Sequence, residues 1–146
     1  MIRRKFMAAY IVMLLFLSGC SLDGTSEKKI TKKVDFEVCS YNKLPTELLK
    51  IIDEKKNIKF KVSYRNSENI YIAIGYGEHE DNELCVGINE LYETNKELYV
   101  SATLYTKKGI DNSMEKDIIA KGEYSRCPYI VIKCKAVDLP VYFDVD

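Results

Sequence analysis

The stretch IKFKVSYRNSENIYIAIGY, residues 58–76, decides the fold of this chain. From Ile58 to Arg65 apolar and polar residues alternate, which predicts a strand with one buried face. The polar segment Asn66–Asn69 predicts a turn. From Ile70 to Tyr76 both faces are apolar, which is typical of a central strand covered on both sides. The stretch therefore predicts a hairpin whose second strand needs two covering layers, and a helix is expected to supply one of them.

The segment Leu44-Pro45-Thr46-Glu47 predicts the start of that helix. Proline suits the first helical turn, and Glu47 suits the positive end of the helix dipole. An apolar stripe with helical spacing follows and comprises Leu44, Leu48, Ile51 and Ile52. The helix is expected to end within Lys55–Asn57. We interpret the stripe as a core-facing surface because it lies on one side of the helix.

Five further segments have strand-like patterns: Val34–Cys39, Leu84–Tyr92, Leu98–Tyr105, Tyr129–Cys134 and Val141–Phe143. The turn Glu93–Lys96 joins two of them into a predicted hairpin. The polar stretch Lys107–Arg126 is long enough to predict a functional or mobile loop, and Met114–Ala120 within it is compatible with one helical turn. The predicted class is mainly β (α+β), an antiparallel sandwich or partly open barrel of about seven strands with one helix packed on it.

Residues 1–19 have the pattern of a bacterial export signal. A basic start, Met1–Lys5, precedes an apolar run of 12 residues, which is shorter than the about 20 that a membrane-spanning helix requires. Leu17-Ser18-Gly19-Cys20 resembles the lipobox of bacterial lipoproteins, which implies cleavage before Cys20 and a diacylglycerol on its thiol. We therefore predict a signal peptide over 1–19, a lipidated Cys20 with a flexible tether over 20–33, and a domain over 34–146. The predicted location is the outer face of the bacterial cell membrane, with membrane lipid as one partner.

Composition excludes one class of partner. Residues 20–146 contain 19 basic and 22 acidic residues, a net charge of about −3 once the three basic residues of the signal are removed. Nucleic-acid-binding domains present basic patches or stripes. We therefore predict no nucleic-acid partner.

Four cysteines remain after Cys20: Cys39, Cys85, Cys127 and Cys134. An even number in an exported domain is compatible with two disulfides, whose pairing the sequence does not determine. The alternative is buried reduced thiols, since Cys85 and Cys134 lie in apolar strand-like runs. The spacing contains no C-x₂-C pair and the one histidine is His79, so we predict no zinc site.

The sequence lacks the patterns of a catalytic site. His79 stands among Glu78, Glu80, Asp81 and Glu83, with no G-x-S-x-G or H-E-x-x-H motif around it. The acidic run is also much shorter than an EF-hand calcium loop. We interpret it as a solvated acidic loop and predict a protein without catalytic residues, metal or cofactor.

The order of these segments resembles the C-terminal domain of the PrcB-type protease-complex subunit family. The residues that carry the resemblance are Leu44-Pro45, Tyr71-Ile72-Ala73-Ile74, Gly77-Glu78, Val86-Gly87-Ile88, Pro128 to Lys133 and Leu139 to Phe143. The resemblance implies a β-rich accessory subunit that stabilises a secreted subtilisin-like protease. Where that family has Thr-Gly-Gly-Tyr, this chain has Asp81-Asn82-Glu83-Leu84, which alters the loop expected to contact the partner. The partner-binding residues implied by the resemblance are Gly77, Glu78, Asp81, Asn82, Glu83 and Leu84.

We thus expect a lipid-anchored binding protein, an accessory subunit of a secreted protease. The alternatives are a protease-inhibitor-like protein and a purely structural envelope lipoprotein. Tyr71, Tyr99 and Tyr105 illustrate the choice. They are compatible with an exposed recognition face, since tyrosine is enriched at binding hot spots, and equally with ordinary cross-strand pairs.

Overall fold

The computed structural model describes residues 30–111 and 117–146, which form two β-sheets with a helix on one outer face. The strands are β1 (Ile30–Lys33), β2 (Phe36–Val38), β3 (Lys59–Arg65), β4 (Asn69–Tyr76), β5 (Leu84–Thr94), β6 (Leu98–Thr106), β7 (Ala120–Lys121), β8 (Tyr129–Lys135) and β9 (Val141–Val145). The helices are α1 (Thr46–Lys55) and α2 (Lys107–Asp111), and Tyr41–Lys43 forms a 3-10 turn. The predicted signal peptide, Cys20 and most of the predicted tether lie outside the described residues.

The two sheets have distinct strand orders. One is β1-β5-β6-β9 with β7 also paired to β5, and the other is β2-β8-β4-β3. The predicted mainly-β sandwich with one packed helix is confirmed, and the described residues form two separate sheets rather than a barrel. The strand count of about seven was low, because β1 and β7 were not predicted.

The hairpin predicted from residues 58–76 is confirmed as β3 and β4. Their antiparallel register runs without interruption from Lys59 opposite Tyr76 to Arg65 opposite Ile70. Every residue from Ile70 to Tyr76 is buried, as expected for a strand covered on both faces. The strand alternates its side chains between two different cores, because successive side chains of a strand point to opposite faces.

The larger core fills the space between the sheets, and the smaller one lies between α1 and the second sheet. The larger core comprises Ile70, Ile72, Ile74, Tyr76, Val86, Ile88, Leu91, Leu98, Val100, Ala102, Ile130, Ile132 and Cys134. The smaller core comprises Leu44, Leu48, Ile52, Phe60, Tyr71, Ala73 and Val131. The predicted helical stripe therefore faces the core as expected, through Leu48 and Ile52 in particular. Burying each such side chain fully stabilises the fold by about 1.5–3 kcal/mol.

Three local predictions were wrong. The tether was expected to reach Lys33, but Ile30–Lys33 pair with β5 as β1. All strand pairs were expected to be antiparallel, whereas β9 pairs in parallel with β6, from Val141 opposite Leu98 to Val145 opposite Ala102. Helix α2 and strand β7 occupy parts of the stretch expected to be a loop. The helical turn expected over Met114–Ala120 lies partly outside the described residues, and Ala120 itself is in a strand.

Lysine side chains line the side of the sandwich on which β3 and β9 are the edge strands. On edge strand β3, the exposed Lys59 and Lys61 lie on the face toward the other sheet, where Lys61 Nζ lies 5.9 Å from the ring centroid of Phe143 and Lys59 Nζ donates to the Asp146 carbonyl at 2.7 Å. Inward-pointing lysines on an edge strand disfavour pairing with another chain. The strands at the opposite side, β1, β2 and β7, have only two to four residues each.

Candidate functional site

The loop between β4 and β5 begins at a glycine that the local geometry requires. Gly77 has a φ of 78°, a conformation that residues with a Cβ rarely adopt. A Cβ at this position would also lie 3.1–3.3 Å from backbone atoms of Asn57, Ile58 and Lys59. The loop therefore turns away from β4 at a point where only glycine fits without strain.

The backbone of the loop is fastened to three other segments. Glu78 N–H donates to the Asn57 carbonyl at 3.2 Å, beside the end of α1. At the other end of the loop, Lys107 N–H donates to the Glu83 carbonyl at 3.0 Å, and Ser125 N–H donates to the Leu84 carbonyl at 2.9 Å. These contacts fix both ends of the loop to chain segments that are distant in sequence.

His79, the next residue of the loop after Glu78, forms a reciprocal contact with Arg126. His79 N–H donates to the Arg126 carbonyl at 2.8 Å, and Arg126 Nε donates to the His79 carbonyl at 3.2 Å. His79 Nε2 donates to the Tyr76 carbonyl at 3.0 Å, since a carbonyl can only accept. The histidine ring thus braces the loop against the end of β4.

The loop is also organised internally. The Asp81 carboxylate accepts the Glu83 N–H at 2.8 Å, which is an Asx turn of the kind that aspartate commonly forms. The Asp81 side chain thus braces the part of the loop that was predicted to contact a partner.

The polar side chains of the loop point outward. Glu78, Glu80, Asp81, Asn82 and Glu83 are exposed, whereas Gly77 and Leu84 are buried. Of the six residues predicted to bind a partner, Glu78, Asp81, Asn82 and Glu83 thus share one exposed surface. Gly77 and Leu84 instead hold the two ends of the loop in place.

Two residues that support the loop were missed by sequence reasoning. Asn57 and Arg126 act through hydrogen bonds to a segment that lies about 20 and 47 positions away in sequence. The sequence carries no local signal for such contacts, because they depend on how β3 and β8 flank β4 in the sheet.

A second concavity was also not predicted. A groove of about 500 Å³ lies between Val38–Asn42 and Lys121–Ser125, with Tyr129–Val131 as its floor. Val38 and Tyr41 on one wall are two of the exposed large apolar side chains, at 45% and 43% exposure. Gly122 lines the groove and lies close to its floor, because a Cβ added at this glycine would be 2.6 Å from the Tyr129 carbonyl oxygen.

No disulfide joins any of the four cysteines of the predicted domain, which lie in different parts of the fold. Cys134 lies in the core between the sheets, whereas Cys39 packs against the core beneath α1. Cys85 is buried in β5 of the other sheet, and Cys127 Sγ lies 3.5 Å from Asn57 Oδ1. Of the two alternatives, the structure shows the reduced thiols and not the disulfides. Burial raises the pKa of the Cys39 and Cys134 thiols, which makes them poorer nucleophiles.

The positions of the three tyrosines favour packing over an exposed recognition face. Tyr71 and Tyr105 are buried, so an exposed recognition face that includes them is wrong. Tyr99 lies between Tyr92 and Tyr142 across three strands, with ring centroids 4.6 and 5.8 Å apart and nearly parallel planes. Burial and the Asp144 carboxylate, which accepts the Tyr99 hydroxyl, raise the pKa of Tyr99 well above its ordinary range. The cross-strand alternative is thus confirmed for Tyr99.

The described part of the chain holds no group of three His, Cys, Asp or Glu side chains placed to share a metal ion. Among residues 30–111 and 117–146, no helix combines the length and apolar character needed to cross a membrane. Comparison of the chain with protein-family models, with curated proteins and with solved structures found no match.

Proposed function

We propose that this chain is a lipid-anchored binding protein of the outer face of a bacterial cell membrane, whose Gly77–Leu84 loop contacts a protein partner. One observation carries the proposal: the loop backbone is fastened at Glu78–His79 and at Glu83–Leu84, with the Asp81 turn between them, while its polar side chains stay exposed. A loop that is already ordered loses little conformational entropy on binding. Rigidly held loops with exposed polar side chains are common binding elements.

The proposed role is that of a non-enzymatic accessory subunit for a secreted subtilisin-like protease. The support is the resemblance to the PrcB-type family in the order of its segments and in the position of this loop. The geometry of His79 agrees with a non-catalytic role, because its Nε2 is directed at the Tyr76 carbonyl. A general base would instead need a hydrogen bond to the group that it deprotonates.

The charge of the loop indicates how it would bind. Four carboxylates with one imidazole favour a basic surface on the partner, and such contacts govern association rate and specificity more than final affinity. Because exposed charges are screened by salt, capture of the partner is expected to weaken as ionic strength rises.

The binding proposal is tested with three affinity columns that carry the native domain, a loop variant and a matched control. The loop variant is Glu80→Ala, Asn82→Ala and Glu83→Ala, which leaves the Asp81 brace in place. The control is Glu54→Ala, Glu68→Ala and Asn95→Ala, which removes the same residue types from exposed positions elsewhere. Culture supernatant and solubilised envelope are passed over each column.

A protease that is retained by the native and control columns, but not by the loop variant, is the expected result. Retention by all three columns would place the contact outside the loop. Retention by none would contradict a binding function.

Anchoring is tested separately by growing cells that express the chain with an alkyne-tagged fatty acid. The native chain is expected to carry the label, and Cys20→Ser is expected to lose it. A labelled Cys20→Ser variant, or an unlabelled native chain, would refute the proposed lipidation site.

A further inference from the structure

The first described residue and the Gly77–Glu83 loop lie at opposite ends of the sandwich. Ile30 pairs with Thr94, the last residue of β5, whereas the loop leads directly into Leu84, the first residue of β5. Strand β5 has 11 residues, and at about 3.4 Å per residue its two ends are about 34 Å apart. We call the end with Ile30 the proximal end and the end with the loop the distal end.

The proximal end comprises the start of β1 and two turns. Thr94–Leu98 connects β5 to β6, and Asn66–Asn69 connects β3 to β4. The Ala136 N–H donates to the Glu68 carbonyl at 2.9 Å, which places the end of β8 beside the second turn. These segments form one face of the domain next to the point where the chain arrives from Cys20.

From this arrangement we infer that the domain stands on the bilayer by its proximal end and holds the Gly77–Glu83 loop away from the lipid. The loop is then accessible to a water-soluble protein and not to one embedded in the membrane. The inference rests on the lipid anchor at Cys20 in the proposed function and adds the orientation of the domain and the kind of partner.

The length of the tether supports this orientation. Nine residues, 21–29, separate Cys20 from Ile30. Ten Cα–Cα steps lead from Cys20 to Ile30, and a flexible chain of that length spans about 16–19 Å on average and about 33–36 Å when fully extended. An inverted domain, with its loop on the lipid, would hold Ile30 about 34 Å above the surface by the strand length given above. That orientation would require the nine residues to be almost fully extended, whereas the proximal end lies within their average span, so chain length favours the proximal end at the lipid.

Charge disfavours the orientations that chain length still permits if they bring the loop close to the lipid. The loop presents Glu78, Glu80, Asp81 and Glu83 together, all exposed. An anionic headgroup surface repels these carboxylates once they come within about one Debye length, roughly 10 Å.

The proximal end lacks such an excess of negative charge. The exposed Lys96, Lys135, Glu68 and Asp138 lie in its two turns or at and after the end of β8, so basic and acidic groups are close to balance. Anionic lipid is therefore expected to repel the tip of the loop, Glu78–Glu83, although the exposed Lys107, Lys108 and Arg126 beside it offset part of this charge.

The orientation is measured with single-tryptophan variants, since the chain contains no tryptophan. Asn95→Trp places the reporter at the proximal end and Asn82→Trp places it in the distal loop, both at exposed positions. Each lipidated variant is reconstituted on vesicles of phosphatidylcholine and phosphatidylglycerol that contain a dansyl-labelled lipid. Energy transfer from tryptophan to dansyl reports proximity to the headgroups, and the same variants carrying Cys20→Ser provide the background.

We expect strong transfer from Asn95→Trp and none above background from Asn82→Trp. A water-soluble quencher should quench Asn82→Trp equally with and without vesicles, whereas Asn95→Trp should be protected by the vesicles. Equal transfer from the two positions would show a domain lying on its side, and stronger transfer from Asn82→Trp would show an inverted one. Either result overturns the inference while the anchor stands.

A different failure would point to the anchor itself. If both lipidated variants match the Cys20→Ser background, the chain is not held on the lipid and the proposed function fails with the inference. Insertion of 20 Gly and Ser residues before Ile30 is expected to reduce transfer from Asn95→Trp. Unchanged transfer in that variant would show that tether length does not hold the proximal end at the surface.

Discussion

At the scale of single residues, Gly75 packs against Phe60, its neighbour across the β3–β4 hairpin. The ring of Phe60 lies over this glycine, and a Cβ at Gly75 would be 2.2 Å from Phe60 Cε1. An aromatic side chain that covers a glycine in the adjacent strand replaces the missing side chain in the sheet. The pair therefore behaves as one packing unit between β3 and β4, on the face that α1 covers.

Gly75→Ala is expected to lower the free energy of unfolding by about 1–3 kcal/mol, because the added methyl group must displace the ring or the strand. Urea unfolding followed by circular dichroism measures the change. The double variant Gly75→Ala with Phe60→Leu should recover part of the loss, since the smaller side chain leaves space for the methyl. A Gly75→Ala variant as stable as the native chain would contradict the packing described.

Tyr76 makes stability depend on pH in the alkaline range. Burial, and next the Asp146 carboxylate, raise the pKa of Tyr76 from its ordinary value of 10 to about 12. Between these values the unfolded chain has lost the phenolic proton that the folded chain retains, so the free energy of unfolding falls as pH rises. The stabilisation is fully present below pH 10 and amounts to something on the order of 2 kcal/mol.

Urea midpoints measured from pH 9 to pH 11 test this dependence. Tyr76→Phe is expected to be less stable at pH 9, since it loses the hydrogen bond from the hydroxyl to the Ala102 carbonyl. Its stability should decline less steeply with pH than that of the native chain. Parallel declines would show that Tyr76 does not contribute to the alkaline loss.

At the scale of elements, α1 is held mainly by its buried stripe. Leu48 has no exposed surface, while the neighbouring Leu49 is only partly buried. Two tyrosine hydroxyls also tie the helix to its surroundings: Tyr64 donates to Glu47 at 2.6 Å and Tyr41 donates to Asp53 at 2.8 Å. These hydrogen bonds are exposed to water and are each expected to contribute little to stability.

Leu48→Ala is expected to lower the free energy of unfolding by about 2–5 kcal/mol, whereas the same change at Leu49 should cost distinctly less. Tyr64→Phe should cost less than Leu48→Ala, because its hydrogen bond to Glu47 is exposed to water. Chemical denaturation of the three variants gives the comparison. If Leu49→Ala proved as damaging as Leu48→Ala, the helical face that contacts the sheet would be assigned incorrectly.

The elements that could be predicted from sequence are those whose burial leaves a periodic pattern. The β3–β4 hairpin and α1 belong to this group, because their apolar residues alternate or repeat with helical spacing. Strand β1 has a single apolar residue, Ile30, and is defined by its backbone pairing with β5, which no local pattern reveals. The parallel pairing of β9 with β6 depends on the path of the chain between these two strands, which no local pattern reveals. The hydrogen bonds between His79 and Arg126 could not be predicted either, because they join segments that are distant in sequence.

At the scale of the whole molecule, the placement of the thiols determines how the domain responds to redox conditions. The four cysteines occupy separate places: the core between the sheets, the space beneath α1, the start of β5, and the segment before β8, near Asn57. A disulfide requires Cα atoms about 4.4–6.8 Å apart with side chains that face each other. The fold thus obtains its stability from its two apolar cores and not from covalent cross-links, even though it is expected to function outside the cytoplasm.

Residues 21–146 purified without reductant should therefore carry four alkylatable thiols after denaturation. In the native state Cys39 and Cys127 should react with a thiol reagent first, because they are partly exposed, while Cys85 and Cys134 should react only as fast as the domain opens. Dithiothreitol should leave the melting temperature unchanged. A mass lower by two hydrogens per bond, together with a fall in melting temperature on reduction, would show instead that disulfides hold the two sheets together and that the layers must pack differently.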